Sequence, residues 1–267
     1  MTDTSKENMT DQVPEKSVIV VAETRSGSNF LCALMANTGK LGNPQEYFSP
    51  HIIYENAETI SERYQVALNK GMTDNGVIAI KLFAHQLDWI NKDNYKLSDL
   101  FPNRHWIWLR RKDLLGQAIS RTIALQTESW HSNTTSASMP VYSAITIMRA
   151  LKYISIAETR WNLFFIRNNL SPLVLWYEDL VIKPEDMIMQ ISSYTGVDIS
   201  PDNINMDVHT SIQRTDLNAE WRNRFLAESG NVDYLDELWL SYYHKRTFSN
   251  FWKFLKGSLA KPQPSGR

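Results

Sequence analysis

The stretch from Ser17 to Phe48 constrains the fold most. Val18, Ile19, Val20 and Val21 form a run of branched apolar residues bounded by polar ones, the pattern of a strand buried on both faces. Residues Glu23 to Asn29 are polar and turn-prone. Apolar residues then recur at helical spacing at Phe30, Leu31, Leu34 and Met35, and Gly39 offers a helix stop. The order is strand, tight polar loop, helix. A loop of this kind turns backbone N–H groups and the positive end of a helix onto one point, where an anion can sit.

The loop is not a Walker A sequence, because no Lys follows the glycine. It carries Arg25 at its start, with hydroxyls on Ser26 and Ser28, and runs through Gly27 to Asn29. The planar guanidinium fork of arginine suits the oxygens of phosphate and sulfate. The alternative is an ordinary βα turn with a Ser or Asn cap.

Three more strands follow in order. Val77–Phe83 is apolar except for Lys81, which either meets an anion or extends its ammonium to solvent. His85 and Gln86 come where that strand ends, the edge at which parallel sheets gather ligands. His105–Arg111 closes on two arginines, and Asp113 then starts a helix through Leu115, Ala118, Ile119, Thr122 and Ile123. This repeats the first strand-loop-helix arrangement and makes Arg111, with Ser120 on the helix, a second anion site. Arg110 reads as a surface charge. Leu173–Tyr177 is the fourth strand.

Helices are expected over part of Ile52 to Lys70, over Val141 to Asn169 as one helix or two with Pro140 opening it, and over Pro184 to Thr195 before Gly196. From Ile212 the chain turns helical and aromatic, with Trp221, Phe225, Trp239 and Trp252. Strands alternating with helices argue for one α/β domain with a mostly parallel sheet. Its expected bounds are 17–257, between a disordered leader over 1–16 and a flexible tail over 258–267.

Between the first helix and the second strand, Leu41 to Pro50 is a loop with Gly42, Pro44 and Pro50. It carries Glu46 beside Tyr47 and Phe48. A carboxylate positioned there and partly desolvated suits a general base.

Composition excludes several classes. Of 267 residues, 28 are basic and 29 acidic, so there is no electrostatic footprint for nucleic acid. There is no run of eighteen apolar residues for a transmembrane helix, and the first sixteen residues lack a signal-peptide core. The single cysteine, Cys32, permits no internal disulfide and fits a cytoplasmic setting, with packing as its role. The six histidines show no metal-ligand spacing, and no metal is expected.

Residues 24–31 (TRSGSNFL) and 42–48 (GNPQEYF) resemble the bacterial trehalose 2-sulfotransferase family. Further similarity runs in order through Lys81-Leu82-Phe83 with Gln86, Arg111-Lys112-Asp113, Gln117 to Ser120, Gln126-Thr127 with Trp130, Tyr177-Glu178 and Gln213-Arg214 to Glu220-Trp221. The resemblance implies a P-loop nucleotide-kinase-like α/β sandwich. It implies 3′-phosphoadenylyl sulfate (PAPS) as sulfuryl donor, a carbohydrate or glycolipid acceptor, and pairing as a homodimer.

On this resemblance the loop from Arg25 to Asn29 holds the 5′-phosphosulfate, Arg111 and Ser120 hold the 3′-phosphate, and Arg214 joins the donor site. Glu46 matches the family's proposed base, and the charge that the leaving 5′-phosphate gains calls for Arg25, the loop amides and Lys81. Apart from the resemblance, Tyr47, Phe48, Gln86, Trp130 and His131 are candidates to line a sugar site, since sugars stack on aromatics and bond to planar polar groups, Trp130 being equally a core residue. The chain departs from the family at Asn29, where Ser or Thr is common, and between His51 and Asn75. The rival functions are a nucleotide kinase or ATPase and a non-catalytic carbohydrate-binding relative.

Overall fold

The computed structural model describes residues 13–52, 54, 57–92, 95–128, 139–200, 204–205, 207–208 and 216–236. The chain divides into two compact units, Met1–Gly230 and Asn231–Arg267, and every element below belongs to the first. Trp130, His131, Arg214, Trp239 and Trp252 lie outside the described residues.

Four strands, β1 (Lys16–Val21), β2 (Val77–Leu82), β3 (Arg104–Arg110) and β4 (Leu173–Trp176), form one parallel sheet in the order β2-β1-β3-β4. Along β1 alternate residues face opposite layers. Val18 and Val20 pack with Leu31, Leu34 and Met35 of helix α1 (Ser28–Asn37) on one face. Ile188 and Ile191, from a helix over Pro184–Thr195, join that layer. Ile19 and Val21 pack on the other face with Ile60 and Leu68 of α2 (Ile60–Gly71) and Ile90 of α3 (Ala84–Lys92). Trp161 and Phe165, from a helix over Ala144–Arg167, complete that face. The first unit is therefore three-layered, helices on both faces of a parallel sheet, as the α/β expectation required.

The remaining helices, counting on from α3, are α4 (Leu97–Leu100), α5 (Leu114–Thr127), α6 (Ala144–Arg167), α7 (Tyr177–Ile182), α8 (Pro184–Thr195) and α9 (Asp216–Ser229). Several boundaries differ from the sequence reading for local reasons. α6 is a single helix, and it starts after Ser143, whose side chain accepts from the Thr146 N–H at 3.3 Å, rather than at Pro140. α2 starts late because Thr59 and Glu62 form a reciprocal capping box. Lys16 already belongs to β1, and residues 1–12 of the expected leader lie outside the described residues. No described helix is long and apolar enough to cross a membrane.

The strand order sets the site. β1 lies between β2 and β3, so the chain leaves β1 toward β2 and later returns on its other side to β3. In an open α/β sheet the crevice beyond the strand ends at such a reversal is where ligands bind. The loops leaving β1 and β3 both open there.

Candidate active site

The loop after β1 is shaped by two left-handed residues, Arg25 (φ 63°) and Gly27 (φ 86°). The first folds the chain back so that the Ser26 N–H bonds the Glu23 carbonyl at 3.2 Å. The second leads directly into α1 without a side-chain cap. A β-carbon at Gly27 would stand 2.3 Å from the ring of Tyr177, so only glycine lets the ring close beneath the loop. The N–H groups of Ser28 and Asn29 open α1 and have no acceptor within the helix. Ser26 is buried beside them, its hydroxyl without a partner among the described residues.

The turn after β3 meets this loop. Arg111, 7 % exposed, donates from Nη1 to the carbonyl of Arg25 at 2.9 Å. Its guanidinium lies 4.7 Å from the Tyr177 ring centre, and Glu178 Oε1 is 4.0 Å from its Nε. Arg25 in turn donates from Nε to Ser120 Oγ on α5 at 2.9 Å. Arg25, Arg111 and Ser120 therefore form one cluster. Burial first, and then the neighbouring Arg111 guanidinium, pull the pKa of Arg25 below its ordinary value. Two cations held this close in a half-buried place favour an anion between them.

Glu46 reaches the same crevice from the opposite flank. Its loop lies against β2, where the Lys81 N–H bonds the Gln45 carbonyl at 3.0 Å. Gly42 makes that approach possible, since a β-carbon there would stand 2.5 Å from the Ala79 nitrogen. Each carboxylate oxygen has one partner: Lys81 Nζ is 2.9 Å from Oε1, and Gln86 donates from Nε2 to Oε2 at 2.9 Å. Lys81 also donates to Asn29 Oδ1 at 2.5 Å, which links the first loop to Glu46. Of the two sequence readings of Lys81, the structure selects the one with an anion: its ammonium is buried and ion-paired. Gln86, fully buried, is fixed by accepting from the Phe83 N–H at 2.9 Å.

Some expected roles are corrected. Tyr47 and Phe48 belong to the core, at 1 % and 0 % exposure, and present no ring face to a sugar. The Tyr47 hydroxyl donates to the Asn43 carbonyl at 2.8 Å. Arg110 is not a loose surface charge. It forms a two-pronged pair with Glu158 at 3.2 and 3.0 Å and stacks near Trp108 and Trp176.

The sequence reading also missed supports. Arg63 is buried and holds the segment after Glu46 by donating to the carbonyls of Tyr47, Ser49 and Ile52 at 3.1, 2.8 and 3.0 Å. Gln117 donates to the Thr24 carbonyl at 2.9 Å. Glu178 accepts from the backbone N–H groups of Lys112 and Asp113 at 3.0 and 3.2 Å. Only the helical spacing of Arg63 within an apolar pattern hinted at burial. Among the described residues no group of three His, Cys, Asp or Glu side chains is arranged to hold a metal ion.

Comparison with known proteins decides the family. The profile of the Stf0 sulphotransferases matches residues 17–228, the span that holds the whole site. The chain belongs to the Stf0 sulphotransferase family. Membership makes it a sulfotransferase, an enzyme of sulfuryl transfer. It is 24 % identical over 256 residues to the trehalose 2-sulfotransferase of Mycobacterium tuberculosis (strain ATCC 35801 / TMC 107 / Erdman), covering 79 % of this chain and 94 % of that one. Among solved structures it is similar to the sulfotransferase domain of the Synechococcus PCC 7002 olefin synthase, with 16 % identity, 95 % and 97 % coverage and a TM-score of 0.45. A mouse sulfotransferase complexed with PAP aligns at 13 % identity over 94 % of this chain and 87 % of that one, with a TM-score of 0.43.

Proposed function

We propose that this Stf0 sulphotransferase moves the sulfuryl group of PAPS to a hydroxyl of a carbohydrate or glycolipid by in-line displacement. The observation that carries the reading is the hydrogen bond from Arg111 to the Arg25 carbonyl at the strand-order reversal. It joins two strand-loop-helix crossings into one anion cluster, with a carboxylate held on the other flank. A donor with two anionic ends needs such a pair of crossings.

The roles follow from charge. Arg111 and Ser120 take the 3′-phosphate, and the loop amides from Ser26 to Asn29 with Arg25 take the phosphosulfate. Arg214 is proposed on the resemblance alone. Glu46 accepts the proton of the acceptor hydroxyl as that oxygen attacks sulfur. Lys81, bonded to both Asn29 and Glu46, stands between donor loop and base and offsets the charge that develops on the leaving oxygen. Gln86 aims the Glu46 carboxylate rather than gripping the acceptor. Sulfuryl transfer resembles phosphoryl transfer in that positioning and charge stabilisation supply most of the rate.

Incubation with radiolabelled PAPS and fractionated cell extract tests this. Label is expected in a carbohydrate-containing product. Calorimetry that finds binding of ATP with Mg²⁺ but none of PAP would contradict the reading and favour a nucleotide kinase. Glycan binding without PAP binding would favour a non-catalytic relative.

A further inference from the structure

Beside the donor loop lies a second set of polar groups that this mechanism does not use. Glu23 ends the approach to the loop and is 4 % exposed. Its Oε1 accepts from the Ala84 N–H at 3.3 Å, while its buried Oε2 has no partner among the described residues. Thr24 Oγ1 and Arg121 Nε are likewise buried and unpartnered. The three belong together. Glu23 and Thr24 are chain neighbours, Gln117 holds the Thr24 carbonyl, and Arg121 lies one turn beyond Gln117 on α5. Leaving three buried polar atoms without partners costs about 1–3 kcal/mol each, so such a cluster marks a place for a bound polar molecule.

The cluster is continuous with the proposed base. The Arg121 guanidinium carbon lies 4.2 Å from the Tyr153 ring centre, and the Tyr153 hydroxyl is 3.4 Å from His85 Nδ1. His85 lies between Ala84, which bonds Glu23, and Gln86, which bonds Glu46. Contacts and chain neighbours thus link Glu46 through Gln86 and His85 to Tyr153 and Arg121 on one side and to Glu23 on the other.

We propose that Glu23 and Arg121, with Thr24, form the hydrogen-bonding floor of the acceptor site and select a polyhydroxylated acceptor over an apolar alcohol. The inference rests on the sulfotransferase reading above and extends it to substrate choice. A site built to hydrogen-bond hydroxyls rejects a molecule that lacks them, because its own buried groups would then be left unpaired.

The test compares wild type, Glu23→Gln, Glu23→Met and Arg121→Met. Each is assayed for PAP affinity and for label transfer from PAPS to glucose, trehalose, a glucosyl lipid, 1-octanol and phenol. Wild type is expected to label at least one sugar and to favour it over both alcohols. Glu23→Met and Arg121→Met should each raise the acceptor KM for that sugar roughly tenfold, the scale of one lost buried hydrogen bond, with PAP affinity within about twofold of wild type. Glu23→Gln, which keeps a donor and an acceptor, should stay within about threefold.

Unchanged sugar kinetics in both Met variants would overturn the proposal and assign the cluster to internal water. A wild type that binds PAP but labels no sugar would overturn it too. A wild type that neither binds PAP nor transfers label would instead sink the sulfotransferase reading, and this inference with it.

Discussion

Lys81 Nζ stands 2.5 Å from Asn29 Oδ1 and 2.9 Å from Glu46 Oε1, so one buried ammonium ties the donor loop to the proposed base. The lysine side chain is 4 % exposed and the glutamate 21 %. Removing one member of such a pair leaves the other charge desolvated and unmatched. Lys81→Met should therefore destabilise the fold by roughly 3 kcal/mol, the lower end for buried pairs because Glu46 keeps some solvent. Urea unfolding checks this. The double variant Lys81→Met with Glu46→Leu should recover much of the loss, and a double variant no better than the single would remove the ion pair from the account.

Glu46→Gln keeps the shape of the side chain and an acceptor oxygen for Lys81 or Gln86, but cannot take a proton. PAP affinity is expected to stay near wild type while turnover falls at least ~10²-fold, the usual scale for a positioned base. Single-turnover transfer from labelled PAPS measures it. Near-normal turnover would take the base role from Glu46.

Glu23 supplies a pH dependence with a definite sign. Burial, its largest influence, raises its pKa from 4.5 to about 7, and the Ala84 N–H and Arg121 lower it only in part. Between those two values the folded protein holds a proton that the unfolded chain has lost. The stabilising contribution is complete below the unfolded value of 4.5 and disappears as pH rises through about 7. The span corresponds to roughly 3 kcal/mol. The urea midpoint of wild type should fall from pH 5 to pH 8 more than that of Glu23→Gln. Parallel profiles would mean that Glu23 does not titrate in this window.

Two glycines with similar backbones predict different outcomes. Gly39 has φ 63° and no neighbour within 4 Å of an added β-carbon, whereas Gly27, at φ 86°, would drive one into Tyr177. Gly39→Ala carries only the left-handed penalty of about 1–2 kcal/mol. Gly27→Ala should cost more and weaken PAP as well, because the Tyr177 ring it displaces lies against Arg111. Equal thermal shifts in the two variants would contradict the close packing under the loop.

The strands were legible because a strand buried on both faces writes a continuous apolar run, as at Val18–Val21 and Val77–Ile80. The anion loop was legible because Arg25 to Asn29 are contiguous. What pairs across the fold was not. Nothing local tells that Arg63 reaches back to the carbonyls of Tyr47, Ser49 and Ile52, or that Arg110 meets Glu158. Tyr47 and Phe48 were misread for a related reason: residues beside a site residue share its sequence position but not its direction. The Glu46 carboxylate turns to Lys81 and Gln86, and the two rings turn to the core. Short helices such as α3 and α7 have too few turns for a period to stand out.

The most direct measurement is calorimetric titration of wild type and Arg111→Ala with PAP and with adenosine 5′-phosphate. If two crossings grip the two ends of one nucleotide, wild type binds PAP much more tightly, and Arg111→Ala loses most of that preference while its affinity for adenosine 5′-phosphate changes little. A wild type indifferent to the 3′-phosphate, or a variant weakened equally for both nucleotides, would contradict the account.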